Sequence, residues 1–221
     1  SALLSSTGMD TPYGAAYDSA TQRLFVSQSG GNSVFVYDVA SITNGEPSTA
    51  ILGQTAHINA LPQDTQNRLS NPRGLAIDSA GQRLFVAEAI SGNRVKVYDV
   101  ATIINGENAI NVLGQTTYGV SCCDFSGNSA SALNSPYGLA YDSTGQRLFV
   151  TEVGGNRVKI FDVASITDGE NAINVLGQAT FTTATAAISQ TGMRAPTAVA
   201  YFGTDKLYIS DTQNHRVWAH V

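Results

Sequence analysis

Basic charge is what this chain has least of. Twelve Lys and Arg stand against seventeen Asp and Glu, a formal net charge of −5, and lysine occurs only at Lys96, Lys159 and Lys206. A nucleic-acid partner would need a basic stripe to neutralise phosphates, so none is expected. No apolar run approaches the roughly 18 residues that cross a bilayer as a helix, and no membrane span is expected either. Cysteine occurs twice, at the adjacent positions Cys122 and Cys123. A structural zinc site wants a second pair of ligands at suitable spacing, and none of His57, His215 and His220 lies near the pair in sequence. We therefore expect no metal and no cofactor. The pair reads as two ordinary loop cysteines, with a vicinal disulfide or a redox-sensitive dithiol as the functional alternative. Charged residues of both signs make up 13% of the chain, about half the usual share, and Ser, Thr, Asn and Gly take their place. A neutral polar surface of this kind is common on exported proteins, so an extracellular or cell-surface location is expected. Hydrophobic content of 43% suffices for a core.

What the chain does have is repetition. Pro-x-Gly-Leu-Ala-x-Asp, Arg-Leu-Phe-Val-x-Glu and Asn-Arg-Val-Lys-x-x-Asp-Val follow one another almost verbatim twice and in looser form twice more. The copies begin at Pro12, Pro72, Pro136 and Pro196, with spacings of 60, 64 and 60 residues, a period typical of repeat architectures. In the third copy, residues 138–142, 147–152 and 157–162 are each strand-length and rich in β-branched and aromatic residues, and each is predicted as a strand. The short connections at 142–145 and 154–156 contain glycine and are of hairpin length, so glycine is expected to supply a positive φ there. A fourth run, Asn174-Val-Leu-Gly-Gln178, follows a wide loop or one-turn helical excursion, and its Leu-Gly-Gln recurs at 52–54 and 113–115. Four short strands per repeat predict an all-β fold, a β-propeller of four-stranded blades, with repeat units at about 12–54, 72–115, 136–178 and 196–221 forming a single propeller domain or a propeller segment.

These residues resemble the NHL repeat family, whose units read Pro-x-Gly-[Leu/Ile/Val]-Ala-[Val/Ile]-Asp, then [Leu/Ile]-Tyr-Val-[Ala/Ser]-Asp, then Asn-x-Arg-Val or Asn-Arg-Val. Residues 206–217 come especially close, and Leu-Gly-Gln-x-x-Phe at 176–181 is similar to bacterial members that look exported or surface-exposed. The resemblance covers nearly the whole chain. It implies the propeller fold and leaves enzymes, sensors and binding modules all within the family's range. Family members commonly have six blades, more than this chain can supply.

An acid closes the second strand and an arginine opens the third in three copies, at Glu88 with Arg94, Glu152 with Arg157 and Asp211 with Arg216. In the first copy both are replaced together, by Gln28 and Ser33. Joint loss avoids leaving one charge unpaired, which argues for structural pairs across a hairpin, each contributing roughly 0.2–1 kcal/mol.

The repeat is cut at both ends: Ser1 falls inside the loop that elsewhere follows Leu-Gly-Gln, and Val221 follows the third strand of the fourth copy. About 15 strands are predicted, the fourth unit lacking its outer one. A closed four-bladed ring, an open arc that pairs with another copy, and a piece of a longer protein all fit. Unpaired edge strands invite partners, so a homo-oligomer is one expectation.

Propellers usually bind near the axis, through loops that enter the innermost strands. The residue between Pro and Gly at that point varies as Tyr13, Arg73, Tyr137 and Thr197, a set suited to a polar or sugar-like ligand through stacking and hydrogen bonding. The loops after each Leu-Gly-Gln offer a second surface, with His57, Tyr118, Cys122, Cys123, Phe125 and Phe181; the middle loop is three residues longer than the others. No Gly-x-Ser-x-Gly elbow, His-Glu-x-x-His or phosphate loop is present, and the acids recur in step with the repeat, whereas catalysis needs a unique set. The expected function is a noncatalytic module for a protein, peptide or glycan ligand. Its rivals are a structural subunit that completes its open blade with a neighbour's strand, and a metal-dependent NHL-like lyase.

Overall fold

The structure is a computed structural model, and it describes residues 6–57, 62–89, 92–119, 128–203 and 206–220. Each repeat forms one antiparallel sheet. Blade one is β1 (Pro12–Asp18), β2 (Arg23–Gln28), β3 (Ser33–Asp38) and β4 (Ala50–Leu52). Blade two is β5 (Pro72–Asp78), β6 (Arg83–Glu88), β7 (Arg94–Asp99) and β8 (Asn111–Leu113). Blade three is β9 (Pro136–Asp142), β10 (Arg147–Glu152), β11 (Arg157–Asp162) and β12 (Asn174–Leu176). Blade four has three strands, β13 (Pro196–Phe202), β14 (Lys206–Asp211) and β15 (Arg216–His220). The fold is therefore an all-β propeller of four blades around a common axis. The segment between the third and fourth strands is loop and turn, and a single 3-10 turn at Thr212–Asn214 is the only helix among the described residues.

Alternation along each strand gives a blade two apolar faces, and successive blades stack face to face. Phe25, Val34 and Val36 of blade one meet Leu75, Leu84, Val86 and Tyr98 of blade two. Phe85, Val95 and Val97 of blade two meet Leu139, Leu148, Val150 and Phe161 of blade three. Phe149, Val158 and Ile160 of blade three meet Leu207, Ile209 and Trp218 of blade four. The innermost strands run side by side in the order β1, β5, β9, β13. They approach so closely that a Cβ on Gly14 would lie 2.5 Å from the Arg73 carbonyl oxygen, one on Gly74 2.3 Å from that of Tyr137, and one on Gly138 2.8 Å from that of Thr197. This is why the repeat has Gly after Pro-x. In blade four the position is Ala198, and no further blade stands against it among the described residues.

The hairpin turns depart from expectation. Positive φ falls on the residue after a turn glycine at Gln82 and Gln146 in the first turn and at Asn32, Asn93 and Asn156 in the second, and on the equivalent Gln22 and His215, which follow Thr21 and Asn214. The turn glycines serve instead as gaps for charged groups: a Cβ on Gly81 would lie 2.3 Å from Asp78 Oδ2, and one on Gly145 2.5 Å from Asp142 Oδ2. Those acids pair with Arg83 and Arg147 at 2.6 and 2.7 Å.

The acid and arginine pairs of the second hairpin are interior groups in blades two and three. Arg94 Nε lies 2.7 Å from Glu88 Oε2, with both side chains fully buried, and Arg157 pairs with Glu152 in the same setting. A third member was not legible as part of the set: Lys96 Nζ reaches Glu88 at 3.3 Å and Lys159 Nζ reaches Glu152 at 3.6 Å. Each ammonium also donates to loop carbonyls, Thr65 O at 2.9 Å and Ser129 O at 2.8 Å. The other oxygen of each acid accepts an N–H of the loop that leads into its own blade's first proline, Ser70 at 2.6 Å and Asn134 at 2.5 Å. Blade one keeps that loop bond through Gln28 Oε1, which accepts from Asp10 N at 2.8 Å, and fills the lysine position with Phe35. Blade four pairs Asp211 with Arg216 at 2.7 Å and fills it with Trp218. Surface-pair energetics do not apply to fully desolvated groups, because removing one partner strands a buried charge.

Two outcomes follow for stability. Glu152→Ala leaves Arg157 and Lys159 without their counter-charge, an expected loss of about 3–5 kcal/mol in denaturant unfolding, whereas Gly74→Ala is expected to cost about 1–3 kcal/mol because backbone blocks the new methyl. Burial pushes Lys159 down from 10.5 to about 8. Between those values the unfolded chain binds the extra proton, so the contribution of Lys159 to stability rises with pH across that window. The unfolding free energy of the native chain relative to Lys159→Met should therefore increase from pH 8 to pH 10.5 in parallel denaturation series.

Candidate functional site

The four residues that vary between Pro and Gly (Ala in blade four) sit at the start of the innermost strands, around the axis. Their position is set by a repeated device. Thr11, Asn71, Ser135 and Ala195, each just before the proline, take left-handed φ values between 47° and 54°, a costly conformation for residues with a Cβ. Three are pinned by the preceding blade: Asn32 Oδ1 accepts from Asn71 N at 2.9 Å, Asn93 Oδ1 from Ser135 N at 2.8 Å and Asn156 Oδ1 from Ala195 N at 2.8 Å. The hook joins one blade to the next and sets where the axial side chain emerges. Those asparagines read in sequence as turn residues alone, because the partner is a backbone N–H about 40 positions away.

Three of the four axial residues are brought together. The Arg73 guanidinium lies 4.6 Å from the ring centroid of Tyr13 and 5.1 Å from that of Tyr137. The two rings meet edge to face, 5.4 Å apart at 82°. Asn71 Oδ1 orients the guanidinium by accepting from Arg73 Nε at 2.9 Å. Burial raises the Tyr13 phenol to about 12, with Tyr137 adding to the rise and Arg73 opposing it. A cavity of about 180 Å³ opens here, lined by inner-strand residues of all four blades including Tyr13, Tyr137 and Thr197. Thr197 shares the cavity but not the cluster; its hydroxyl lies 3.1 Å from Ser210 Oγ and 2.6 Å from Thr212 Oγ1. The arrangement offers a planar cation set against two aromatic rings that also touch each other, with their two phenol hydroxyls. It can stack and hydrogen-bond a polar group.

Of the loop candidates, His57, Tyr118 and Phe181 make contacts within the blades. His57, Tyr118 and Phe181 occupy one repeat position, three residues after Leu-Gly-Gln. The Tyr118 carbonyl accepts from Arg94 Nη1 at 2.7 Å and that of Phe181 from Arg157 Nη1 at 2.6 Å, which completes the coordination of the buried guanidiniums. The Tyr118 hydroxyl donates to Ala109 O at 3.2 Å, and burial lifts it to about 12. In blade one, where the arginine is absent, His57 lies edge-on to Phe35 at 5.0 Å and 2.7 Å from Ser48 Oγ, and burial lowers its pKa. Cys122, Cys123 and Phe125 lie outside the described residues. Among the described residues, no group of three or more His, Cys, Asp or Glu side chains is gathered where a metal ion could sit.

Because Arg73 is the cation that opposes the rise at Tyr13, Arg73→Ala should move the Tyr13 titration further upward, read as the shift in alkaline tyrosinate absorbance between the native chain and the variant.

No protein-family model and no curated protein matches the chain. Solved structures do. The WD40 repeats of RRP9, seen in a crystal structure, superpose on 96% of this chain with a TM-score of 0.56 at 12% sequence identity. The match takes in 51% of that chain, so the present chain spans about half the length of its structural relative. At this identity the likeness is one of fold, and the fold is the β-propeller.

Proposed function

We propose that this chain is a noncatalytic binding module built on NHL-like repeats, working at the cell surface or outside the cell, and that its axial face holds a peptide segment of a protein partner. The observation that carries this reading is Arg73 packed against the rings of both Tyr13 and Tyr137, two residues that line a cavity shared by all four inner strands. An oriented guanidinium flanked by aromatic rings is a recognition surface that folding does not require, since the same repeat position carries threonine in blade four. Arg and Tyr are also the residue types that dominate binding energy at protein interfaces. The likeness to a WD40 propeller is in keeping with a protein partner. The acids that close the second strand of blades two, three and four are committed to arginine pairing, and those that close the third strand of blades one to three, Asp38, Asp99 and Asp162, accept backbone N–H groups, which leaves little for acid–base chemistry.

The test is a screen of the chain against peptide and glycan arrays, followed by titration of the best binder with Arg73→Ala and Tyr137→Ala. Both variants should keep the native unfolding temperature and lose affinity about ten-fold, within the range of a cation–π contact. A glycan as best binder would replace the peptide as ligand class, and binding indifferent to both substitutions would reject the axial face.

A further inference from the structure

We infer, on the axial reading proposed above, that the group this site selects on its peptide partner is a carboxylate, held end-on by Nη1 and Nη2 of Arg73. Wherever the repeat places arginine at the start of a strand, it comes with a counter-charge. Six arginines open strands, at Arg23, Arg83, Arg94, Arg147, Arg157 and Arg216, and each is paired with an acid of its own blade. Arg73 is second in β5, outside that pattern, and among the described residues no Asp or Glu pairs with it. Its Nε donates to Asn71 Oδ1 and its face lies against two rings, while Nη1 and Nη2 meet no acceptor among the described residues. Holding a half-buried guanidinium in one pose costs rotamer entropy. No acid of the described molecule gains from it.

The orienting residue comes with the arginine. Two positions before the axial residue the four blades carry Thr11, Asn71, Ser135 and Ala195, so asparagine occurs only where arginine follows. Asn71 N is itself bound to Asn32 Oδ1 at 2.9 Å, which fixes the guanidinium relative to blade one. With Nε occupied, the fork left for a ligand is Nη1 with Nη2, whose parallel N–H bonds match the two oxygens of a carboxylate. Phosphate suits the site less well, because phosphate sites gather several cations and no lysine or further arginine lines the cavity among the described residues. No Asp or Glu lines it to repel an anion either. At about 180 Å³ the cavity is smaller than the roughly 300–1,000 Å³ of small-molecule sites, and it admits one acidic side chain or one chain end. Tyr13 and Tyr137 shield the guanidinium from water, which strengthens charge-assisted bonds made there.

Three short peptides separate the two sources of a carboxylate. The first is acetylated and amidated with a central glutamate, the second has glutamine in its place, and the third is the glutamine peptide with a free C-terminus. Each is titrated while the Arg73 Nε–Hε signal and the Tyr13 and Tyr137 ring signals are followed by NMR. At least one carboxylate peptide should move them saturably and about ten-fold more tightly than the amidated glutamine peptide. Most of that margin should vanish between about 20 mM and about 500 mM salt. Preference for the glutamate peptide assigns an acidic side chain, and preference for the free terminus assigns a chain end. Arg73→Gln, checked for native circular dichroism, should erase the difference between the peptides. Asn71→Ser, which installs the residue of blade three, should reduce the difference and leave binding of the amidated glutamine peptide unchanged.

Equal binding of all three peptides that Tyr137→Ala abolishes overturns the carboxylate and leaves the axial face standing. Axial signals that none of the peptides moves overturn the carboxylate too, while the array titration above decides the axial face separately. Methyl glucuronide binding ahead of both carboxylate peptides overturns the peptide as the source.

Discussion

Each blade of this protein is a thin sheet with two apolar faces, and its stability comes from covering them with neighbouring blades. That requirement sets the rest of the structure. It dictates the alternation within strands, the stacking around an axis, and the glycine that lets one inner strand lie against the next at backbone distance. It also explains the interior charges. A lysine and an arginine in the middle of a stacked sheet are tolerable only because one glutamate neutralises them while loop carbonyls take up the remaining donors. Loops between blades are consequently part of the core: Tyr118 and Phe181 complete the solvation of arginines that water cannot reach.

Much of this was readable before any coordinates. Four in-phase copies gave the blade, its strand order and the missing outer strand of the last unit, because strand periodicity and turn spacing are local properties. The acid and arginine partnership was visible from their joint absence at Gln28 and Ser33. Its depth was not, because burial depends on the facing blade. Nothing in the sequence marked Lys96 and Lys159 as members of the set for the same reason, since they lie on strands whose two faces are both interior. The turn glycines were assigned to positive φ on good general grounds, yet the conformation fell to the Gln and Asn that follow them, and the glycines at 81 and 145 answer to the space needed by Asp78 and Asp142.

The axial cluster was half legible. Varying residues between fixed neighbours marked Tyr13, Arg73, Tyr137 and Thr197 as a set, and the structure brings three of them into contact. What the sequence lacked was the device that aims them. The Asn32, Asn93 and Asn156 hooks act between blades, across about 40 residues, and only the stacked arrangement shows that each turn asparagine fixes the left-handed residue ahead of the next proline.

The buried charges also bear on how such a chain grows by duplication. The interior set comes in matched versions, charged in blades two and three through Glu, Arg and Lys, charged with Trp218 in the lysine position in blade four through Asp211 and Arg216, and neutral in blade one through Gln28, Ser33 and Phe35. A genetic crossover between strands two and three of a blade would unite half of one version with half of the other and leave an ion alone in the core. Exchange at the long loops keeps each set whole. The heritable module is therefore the hairpin with its charges, and the repeat can multiply or lose whole blades far more readily than it can blend them.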